Sequence, residues 1–148
     1  MYKCKYFKPH ELVSKIVYSK FGEDSYQFFD KDVLQDLDII RESYGNPITI
    51  NNWFWGGQYS ESGLRTNKDS IVKNKTGLYV SAHCLGCGFD LKDKFNIQGN
   101  NHKLYNHISS LIRQGKLKAF RRLENIQKTP TWVHVDAFQT VYDSLVIF

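Results

Sequence analysis

The segment SAHCLGCGFD, residues 81–90, combines several side chains that bind metals or do acid–base chemistry. Cys84 and Cys87 have the two-residue spacing found in zinc knuckles and in redox-active dithiols. His83 and Asp90 stand seven residues apart and flank a glycine-containing turn, which would direct both side chains towards one point. The two pairs suggest different kinds of site, one built from thiols and the other from an imidazole and a carboxylate.

A second polar group lies in TWVHVDAF, residues 131–138, a segment that alternates as a strand does. Successive side chains of a strand point to opposite faces. One face is apolar and is expected to pack on helices, and it carries Val133, Val135 and Ala137. The opposite face carries Trp132, His134 and Asp136. An isolated histidine between two valines is most often half-buried in a core, but the His/Asp pair upstream favours a ligand role for this one.

Together, His83, Asp90 and His134 would meet the requirement of a catalytic zinc site. Such a site uses three nitrogen or oxygen ligands from the protein and leaves a further position for water. Zinc lowers the pKa of its bound water to about 7, so that this water can attack a carbonyl group. The three residues therefore predict metal-assisted hydrolysis.

The cysteine pair supports an alternative that stays open, a redox or zinc-knuckle protein. A structural zinc site requires four ligands, commonly supplied by two CxxC units. The chain has three cysteines and no second CxxC, and Cys4 is remote in sequence. Gly86 and Gly88 disfavour the helix that a thioredoxin-like dithiol requires. We therefore interpret Cys84 and Cys87 as small, partly buried residues that fill space.

The elements that must position these residues follow from periodicity and from turn signals. Helices are expected at residues 9–20, 30–44 and 101–114, the last two being followed by glycine. Strands are expected at residues 48–50, 77–83, 89–91, 118–124, 131–138 and 140–148. Helices come mostly first and strands mostly last. This order predicts one α+β domain, residues 1–148, with a small antiparallel sheet flanked by helices.

Composition restricts the classes of protein further. The 148 residues carry a formal net charge of +5, which favours anionic partners such as nucleic acid, cell wall or acidic lipid without choosing among them. No apolar run reaches the roughly 18 residues of a membrane span. The N-terminus lacks the apolar core of a secretory signal peptide. An odd number of cysteines argues against a secreted disulfide framework and for a reducing compartment.

Residues 81–90 match the pattern S-x-H-x-x-G-x-[AG]-x-D, and WVHVD follows at residues 132–136. With these motifs the chain resembles the zinc D-Ala-D-Ala carboxypeptidase and phage endolysin family, most closely its short single-domain branch. Three further segments are similar to segments of that branch in the same order: YFKPHELV, LQDLDIIRESYGNPITI, and SGLRT at residues 62–66. The resemblance implies the fold that this family shares with the hedgehog signalling domain.

The resemblance also implies roles for individual residues. His83, Asp90 and His134 match the three Zn²⁺ ligands. Arg65 matches an arginine that grips a substrate carboxylate or carbonyl, for which a guanidinium is suited. Ser81 matches a residue that lines the site. The family cuts peptide bonds of peptidoglycan stem peptides, at D-Ala-D-Ala or at other bonds involving a D-residue, so the expected partner is a stem peptide rather than nucleic acid.

The same resemblance implies a phage or prophage source. A protein without a signal peptide would then be made in the host cytoplasm and would act at the cell wall or in the periplasm after release. It would alternatively be carried in the virion, with virion proteins as partners.

The general base is the main departure from the family pattern. Many relatives place an acidic residue a few positions before the last histidine, whereas Thr131 and Lys128 stand three and six positions before His134. Two carboxylates remain as candidates. Asp136 shares the strand face of His134 but would equally serve to orient a ligand, and Glu124 ends the preceding strand. We favour Glu124. The departure also keeps open an inactive virion or wall-binding protein that retains the fold and the zinc site.

An aromatic segment, NNWFWGGQYSESGLR at residues 51–65, lies outside these motifs. Trp53 and Trp55 alternate there and would wall a groove, with Gln58 adding polar contacts. Their rings would stack on a sugar or on a peptide, or would cover the core beneath a loop.

Overall fold

The computed structural model describes residues 1–141 and 143–148. In this part of the chain five strands form one sheet in the order β1-β2-β4-β3-β5. The strands are β1 (Ile48–Thr49), β2 (Gly88–Asp93), β3 (Arg122–Leu123), β4 (Val133–Asp136) and β5 (Val146–Ile147). Helices accompany the sheet, so the predicted α+β class is confirmed.

The expectation of an antiparallel sheet is wrong for the last strand. β1, β2, β4 and β3 pair in antiparallel fashion, but β5 pairs with β3 in parallel. The physical reason is that both edges of β4 are already occupied, by β2 and β3. β5 therefore occupies the far edge of β3, where it runs in the direction of β3. The sheet is mixed.

Four α-helices lie in the described chain: α1 (Pro9–Leu12), α2 (Lys15–Phe21), α3 (Lys31–Tyr44) and α4 (His102–Arg113). Short 3-10 helices occupy Gly22–Phe28, Trp53–Trp55 and Lys94–Asn96. The helices predicted at 30–44 and 101–114 are confirmed as α3 and α4. The Asp30 carboxylate accepts a hydrogen bond from the Asp32 backbone N–H at the start of α3, and Gly45, with φ +85°, ends that helix.

The single helix expected at 9–20 is wrong, because the chain extends at Val13 and divides it into α1 and α2. Val13 forms an isolated parallel bridge with Leu64. The Ser14 N–H donates to the Leu64 carbonyl, and the Leu64 N–H donates to the Leu12 carbonyl, both at 2.8 Å. This bridge ties the segment around Leu64 to the helical layer.

The strand expected at 77–83 is also wrong. Leu78 is 98% exposed, so its apolar side chain does not contribute to the core. Residues 81–87 form hydrogen-bonded turns instead, in which the Cys84 N–H donates to the Ser81 carbonyl and the Cys87 N–H to the Ala82 carbonyl. The strand begins only at Gly88, after these turns.

The strands expected at 118–124 and 140–148 are present but shorter, as β3 and β5. Tyr142, within the second of these predictions, lies outside the described residues. No helix in the described chain is both long enough and apolar enough to cross a membrane.

One buried apolar cluster joins the helices to the sheet. It includes residues of α3, α4, β2 and β4, among them Leu37, Ile40, Leu104, Ile108, Phe89, Leu91, Val133 and Val135. The predicted apolar face of β4 is thereby confirmed. Because β2 and β4 bury alternate residues against this cluster, their remaining side chains lie on the opposite face of the sheet.

Replacement of Gly63 by alanine tests the bridge between the N-terminal helices and the Leu64 segment. A Cβ at Gly63 would lie only 2.0 Å from the Leu12 backbone oxygen. Gly63→Ala is therefore expected to lower the free energy of unfolding by about 1–3 kcal/mol or more, since the backbone must move to relieve the clash.

Urea unfolding checks this, with Gly77→Ala as the matched control, because a Cβ at Gly77 meets no atom within 4 Å. An equal stability of the two variants would contradict the proposed role of the bridge.

Candidate metal centre

The pairing of β2 with β4 builds the floor of the site. In its register Asp90 lies opposite His134, and Gly88 lies opposite Asp136. β3 adds Glu124 at the same level, because the Glu124 backbone N–H donates to the His134 carbonyl at 3.1 Å. Three adjacent strands therefore bring one imidazole and several carboxylates to one face of the sheet.

His83 reaches the floor from the turns that precede β2. Gly86 adopts φ +69° there, and a Cβ at this position would lie 2.7 Å from the Phe28 carbonyl oxygen. At Gly88 a Cβ would lie 2.5 Å from the Cβ of Ala82. Both glycines are therefore required for the close approach that folds His83 back over β2, and an alanine at position 88 would force a shift.

The metal-binding atoms of the three predicted ligands lie within contact distance of one another. His83 Nε2 lies 3.2 Å from His134 Nδ1 and 3.4 Å from Asp90 Oδ1. The distance between His134 Nδ1 and Asp90 Oδ1 is 2.9 Å. The three residues could hold a metal ion.

The outer nitrogen of each imidazole contacts an acceptor, which favours a proton on that nitrogen. His83 Nδ1 lies 3.1 Å from the Gly63 carbonyl oxygen, which can only accept a hydrogen bond. His134 Nε2 lies 3.3 Å from Asp136 Oδ2. When each ring carries only this outer proton, Nε2 of His83 and Nδ1 of His134 present lone pairs to the centre, as metal-binding histidines do.

The electrostatics of the cluster favour a positive charge at the point where the three residues meet. Burial alone lowers the pKa of His134, but hydrogen bonds to Asp136 and Asp90 outweigh it and raise the pKa to about 9. Burial alone raises the pKa of Asp90, but the hydrogen bond from His134 and the adjacent His83 imidazole outweigh it and hold the pKa well below its usual range. Without a metal, a proton retained on His134 balances the negative charge of the adjacent carboxylates, Asp90 and Asp136.

Asp136 is the second carboxylate, after Asp90, that contacts the His134 ring. It is 1% exposed, and its Oδ1 lies 3.0 Å from Nε of Arg122, an ion pair rather than an aligned hydrogen bond. The Arg122 guanidinium lies over the rings of Phe138 and Phe148, with distances of 5.3 Å and 4.3 Å to the ring centroids. Asp136 is thus held from one side by a cation and holds His134 with its other oxygen.

Sequence reasoning missed Arg122. The signal was present, because the period of two in a strand places residues 122 and 124 on one face, together with the polar face of β4. Arg122 also pairs with Asp136 in the strand register.

Above the three ligands lies an open cleft of about 460 Å³. Its walls include Arg65, Ser81, Glu124 and Trp132, all from different segments of the chain. No residue of the described chain forms a hydrogen bond or an ion pair with the Glu124 carboxylate. The two candidate bases therefore differ: Asp136 is committed to Arg122 and His134, whereas Glu124 is available to a molecule in the cleft.

Arg65 and Ser81 both adjoin His83. The Arg65 backbone N–H points to the His83 carbonyl at 3.4 Å, and one guanidinium nitrogen, Nη1, donates to the Glu61 carbonyl at 2.8 Å. Arg65 is 8% exposed, and its Nε is buried without a hydrogen-bond partner among the described residues. Ser81 Oγ accepts a hydrogen bond from the His83 backbone N–H at 3.2 Å. The structure thus brings both predicted residues to the cleft.

Lys92 is a second residue that sequence reasoning missed. It follows Asp90 by two positions on β2 and is buried, with Nζ 3.3 Å from Ser62 Oγ and 4.2 Å from the centroid of the Tyr59 ring. Burial lowers its pKa to about 8. No sequence signal distinguishes it, because lysine in a strand is usually exposed.

The cysteines do not belong to the cluster. Within the described chain the ligand group contains His83, Asp90 and His134 and neither Cys84 nor Cys87. Both thiols are free and partly buried, as expected for residues that fill space. Burial raises the pKa of the Cys87 thiol, which lowers its thiolate fraction and its reactivity at neutral pH.

These contacts define the class of the site: two imidazoles and one carboxylate at the floor of an open cleft. Comparisons of the chain with protein-family models, with curated proteins and with solved structures find no match in any of the three.

The proton on His134 makes the stability of the metal-free protein depend on pH. Its folded-state pKa of about 9 lies above the value of about 6.5 for an unfolded chain. The stabilisation is therefore complete below about pH 6.5 and is lost as the pH rises through about 9. At about 1.4 kcal/mol per pKa unit, the loss is at most about 3.5 kcal/mol.

Urea unfolding of the chelator-treated protein at about pH 6 and about pH 10 measures this loss. His134→Gln is expected to abolish most of it, whereas His102→Gln, outside the cleft, retains it. A wild-type loss no greater than that of His134→Gln would contradict the assignment.

Proposed function

We propose that this protein is a zinc-dependent peptidase that hydrolyses bonds of peptidoglycan stem peptides, with the fold of the hedgehog and DD-peptidase group. The convergence of His83 Nε2, Asp90 Oδ1 and His134 Nδ1 carries the proposal. Three acceptor atoms separated by 2.9–3.4 Å repel one another unless a cation or a proton lies between them.

The separations support zinc as the metal. Zinc binds nitrogen and oxygen ligands at about 2.0–2.1 Å with tetrahedral angles, which requires ligand atoms about 3.3–3.4 Å apart. The observed separations lie at or slightly below this value, and a larger ion such as calcium prefers six or more oxygen ligands. Two imidazoles with one carboxylate are also the ligands of known catalytic zinc sites.

When bound, zinc supplies a Lewis acid and lowers the pKa of water. The chain supplies the remaining functions. Glu124 takes the proton of the attacking water and returns it to the leaving amine, since its carboxylate lines the cleft. Arg65 lines the cleft, and its guanidinium binds a carboxylate or carbonyl of the stem peptide there. Asp136 holds the tautomer of His134, and Ser81 fixes the backbone of His83.

A comparison of wild-type protein with His134→Ala tests the proposal. Wild-type protein is expected to contain about one zinc ion per chain and to release cleaved muropeptides from purified sacculi. His134→Ala loses both, because two protein ligands do not hold the metal, whereas His102→Ala retains both.

Metal analysis and chromatography of the released muropeptides measure these outcomes. Zinc without cleavage would indicate the alternative function, a virion or wall-binding protein, and a metal-free protein that cleaves normally would disprove the zinc mechanism.

The two carboxylates are separated by Glu124→Gln and Asp136→Asn. Glu124→Gln is expected to retain zinc and to lower the cleavage rate about 100- to 10,000-fold, the usual contribution of a general base. Asp136→Asn is expected to weaken zinc binding about 10- to 100-fold, because it removes the acceptor that orients His134.

Competition with a chromophoric chelator gives the affinities, and Asp24→Asn, an exposed carboxylate remote from the cleft, is the control. The opposite assignment, weakened zinc in Glu124→Gln and a purely kinetic defect in Asp136→Asn, would reverse the two roles.

A further inference from the structure

A second cavity lies at the opposite edge of the sheet from β5, beside β1. It has a volume of about 510 Å³ and is larger than the metal cleft. Trp55 forms part of its rim, and Glu11, Arg41, Asn52 and Lys94 contribute polar groups to its walls. None of these residues contacts the metal ligands, so the cavity is a separate feature of the molecule.

The Trp55 ring at the rim and its neighbour Phe54, which does not line the cavity, are exposed, and both pack on the same buried ring. Trp55 is 64% exposed and Phe54 is 50% exposed. Phe54 stacks on the buried His10 ring at 4.1 Å between centroids, and Trp55 meets the same ring edge-on at 4.9 Å. An exposed indole whose position is fixed loses little conformational entropy when a ligand stacks on it.

Backbone contacts hold the loop that carries these rings. The N–H groups of Asn52 and Trp53 both donate to the Tyr59 carbonyl, at 2.9 Å and 3.1 Å. The Tyr59 N–H donates to Asn52 Oδ1 at 2.9 Å, and the Gly57 N–H donates to the Asn52 carbonyl at 3.0 Å. The loop is therefore closed on itself before any ligand binds.

The walls of the cavity carry charges of both signs, so they favour neither an anionic nor a cationic ligand. Glu11 faces the cavity with the opposite sign to Arg41 and Lys94. One oxygen of Glu11, Oε2, accepts a hydrogen bond from the Lys8 backbone N–H, whereas no residue of the described chain bonds to Oε1. Such walls suit a neutral ligand with many hydroxyl and amide groups, and the exposed ring suits its apolar C–H face. A saccharide combines these two properties.

One segment, residues 52–65, contributes to the walls of both the Trp55 cavity and the metal cleft. A third cavity, of about 160 Å³, lies beside Tyr59 and shares Arg65 and Asp90 with the cleft. The Tyr59 hydroxyl donates to the carbonyl of Ile97, a wall residue of the Trp55 cavity. The segment thus contributes wall residues to all three cavities, from Trp55 to Arg65.

We propose that the Trp55 cavity binds the N-acetylated glycan strand of peptidoglycan while the metal cleft binds the attached stem peptide. The choice of glycan rests on the proposed function. The cavity contributes affinity for the polymer, so that the enzyme remains on the wall between successive cuts.

Titration with chitotetraose, the soluble β-linked tetramer of N-acetylglucosamine, tests the proposal in full-length His134→Ala. Binding in this variant requires neither zinc nor cleavage, so failure here and failure of the peptidase proposal are distinguishable. The chain has three tryptophans, whose indole N–H signals report on three places. Trp55 reports on the cavity, Trp132 on the metal cleft, and Trp53, which donates to the Val13 carbonyl, on the loop base.

The sugar is expected to shift the Trp55 signal and to leave the Trp132 signal in place, whereas zinc added to wild-type protein shifts Trp132. Trp55→Ala is expected to raise the Kd for chitotetraose about tenfold or more. Trp55→Phe, which retains a ring, assigns the signal and restores part of the affinity. Phe21→Ala, a matched loss of an exposed ring remote from the cavities, leaves the Kd unchanged.

Undiminished zinc binding by Trp55→Ala, in a chain with His134 present, shows that the variant is folded. No binding of the tetramer, a shift confined to Trp132, or an unchanged Kd in Trp55→Ala would each overturn the proposal.

Discussion

The antiparallel pairing of β2 with β4 is the interaction on which the metal centre depends. It places Asp90 opposite His134 and Gly88 opposite Asp136. Because side chains alternate along a strand, a shift of this register by one residue would turn the polar residues towards the core. Phe89 on β2 and its partner Val135 on β4 oppose such a shift, since both are fully buried. The apolar residues of the core therefore determine which polar residues face the cleft.

This pairing also makes the centre electrostatically complementary to a cation, because it places the ligand atoms of Asp90 and His134 side by side. A carbonyl and a carboxylate contact the outer nitrogens of His83 and His134, so the inner nitrogens, when they carry no proton, are acceptors that face Asp90. Burying these acceptors beside Asp90 costs free energy, and a proton on His134 offsets the cost in the metal-free chain. A divalent cation would do so more completely, because it contacts all three atoms at once.

The sequence predicted the parts of the molecule that depend on local pattern. α3 follows from its apolar spacing, its Asp30 cap and Gly45, and the two faces of β4 follow from strict alternation. His83, Asp90 and His134 were predicted as ligands from their residue types, from the glycine-containing turn and the alternating strand, and from the resemblance of their motifs to those of a zinc peptidase family.

Features that depend on distant contacts were not predictable in this way. The helix expected at 9–20 is broken because Val13 bonds to Leu64, about fifty positions later. The parallel orientation of β5 results from the occupied edges of β4, which no local pattern records. Arg122 and Lys92 acquire their importance only from what surrounds them in the folded chain.

The contacts that assemble the centre join positions far apart in the chain, and this has a consequence for folding. His83 and His134 are separated by 51 positions, and His134 and Asp90 by 44. During folding, contacts that close loops of this length form after local structure, because loop closure costs conformational entropy. A metal ion would therefore meet its three ligands together only in a chain whose sheet already exists. It would slow unfolding without accelerating folding, and its stabilising effect would grow with the concentration of free metal.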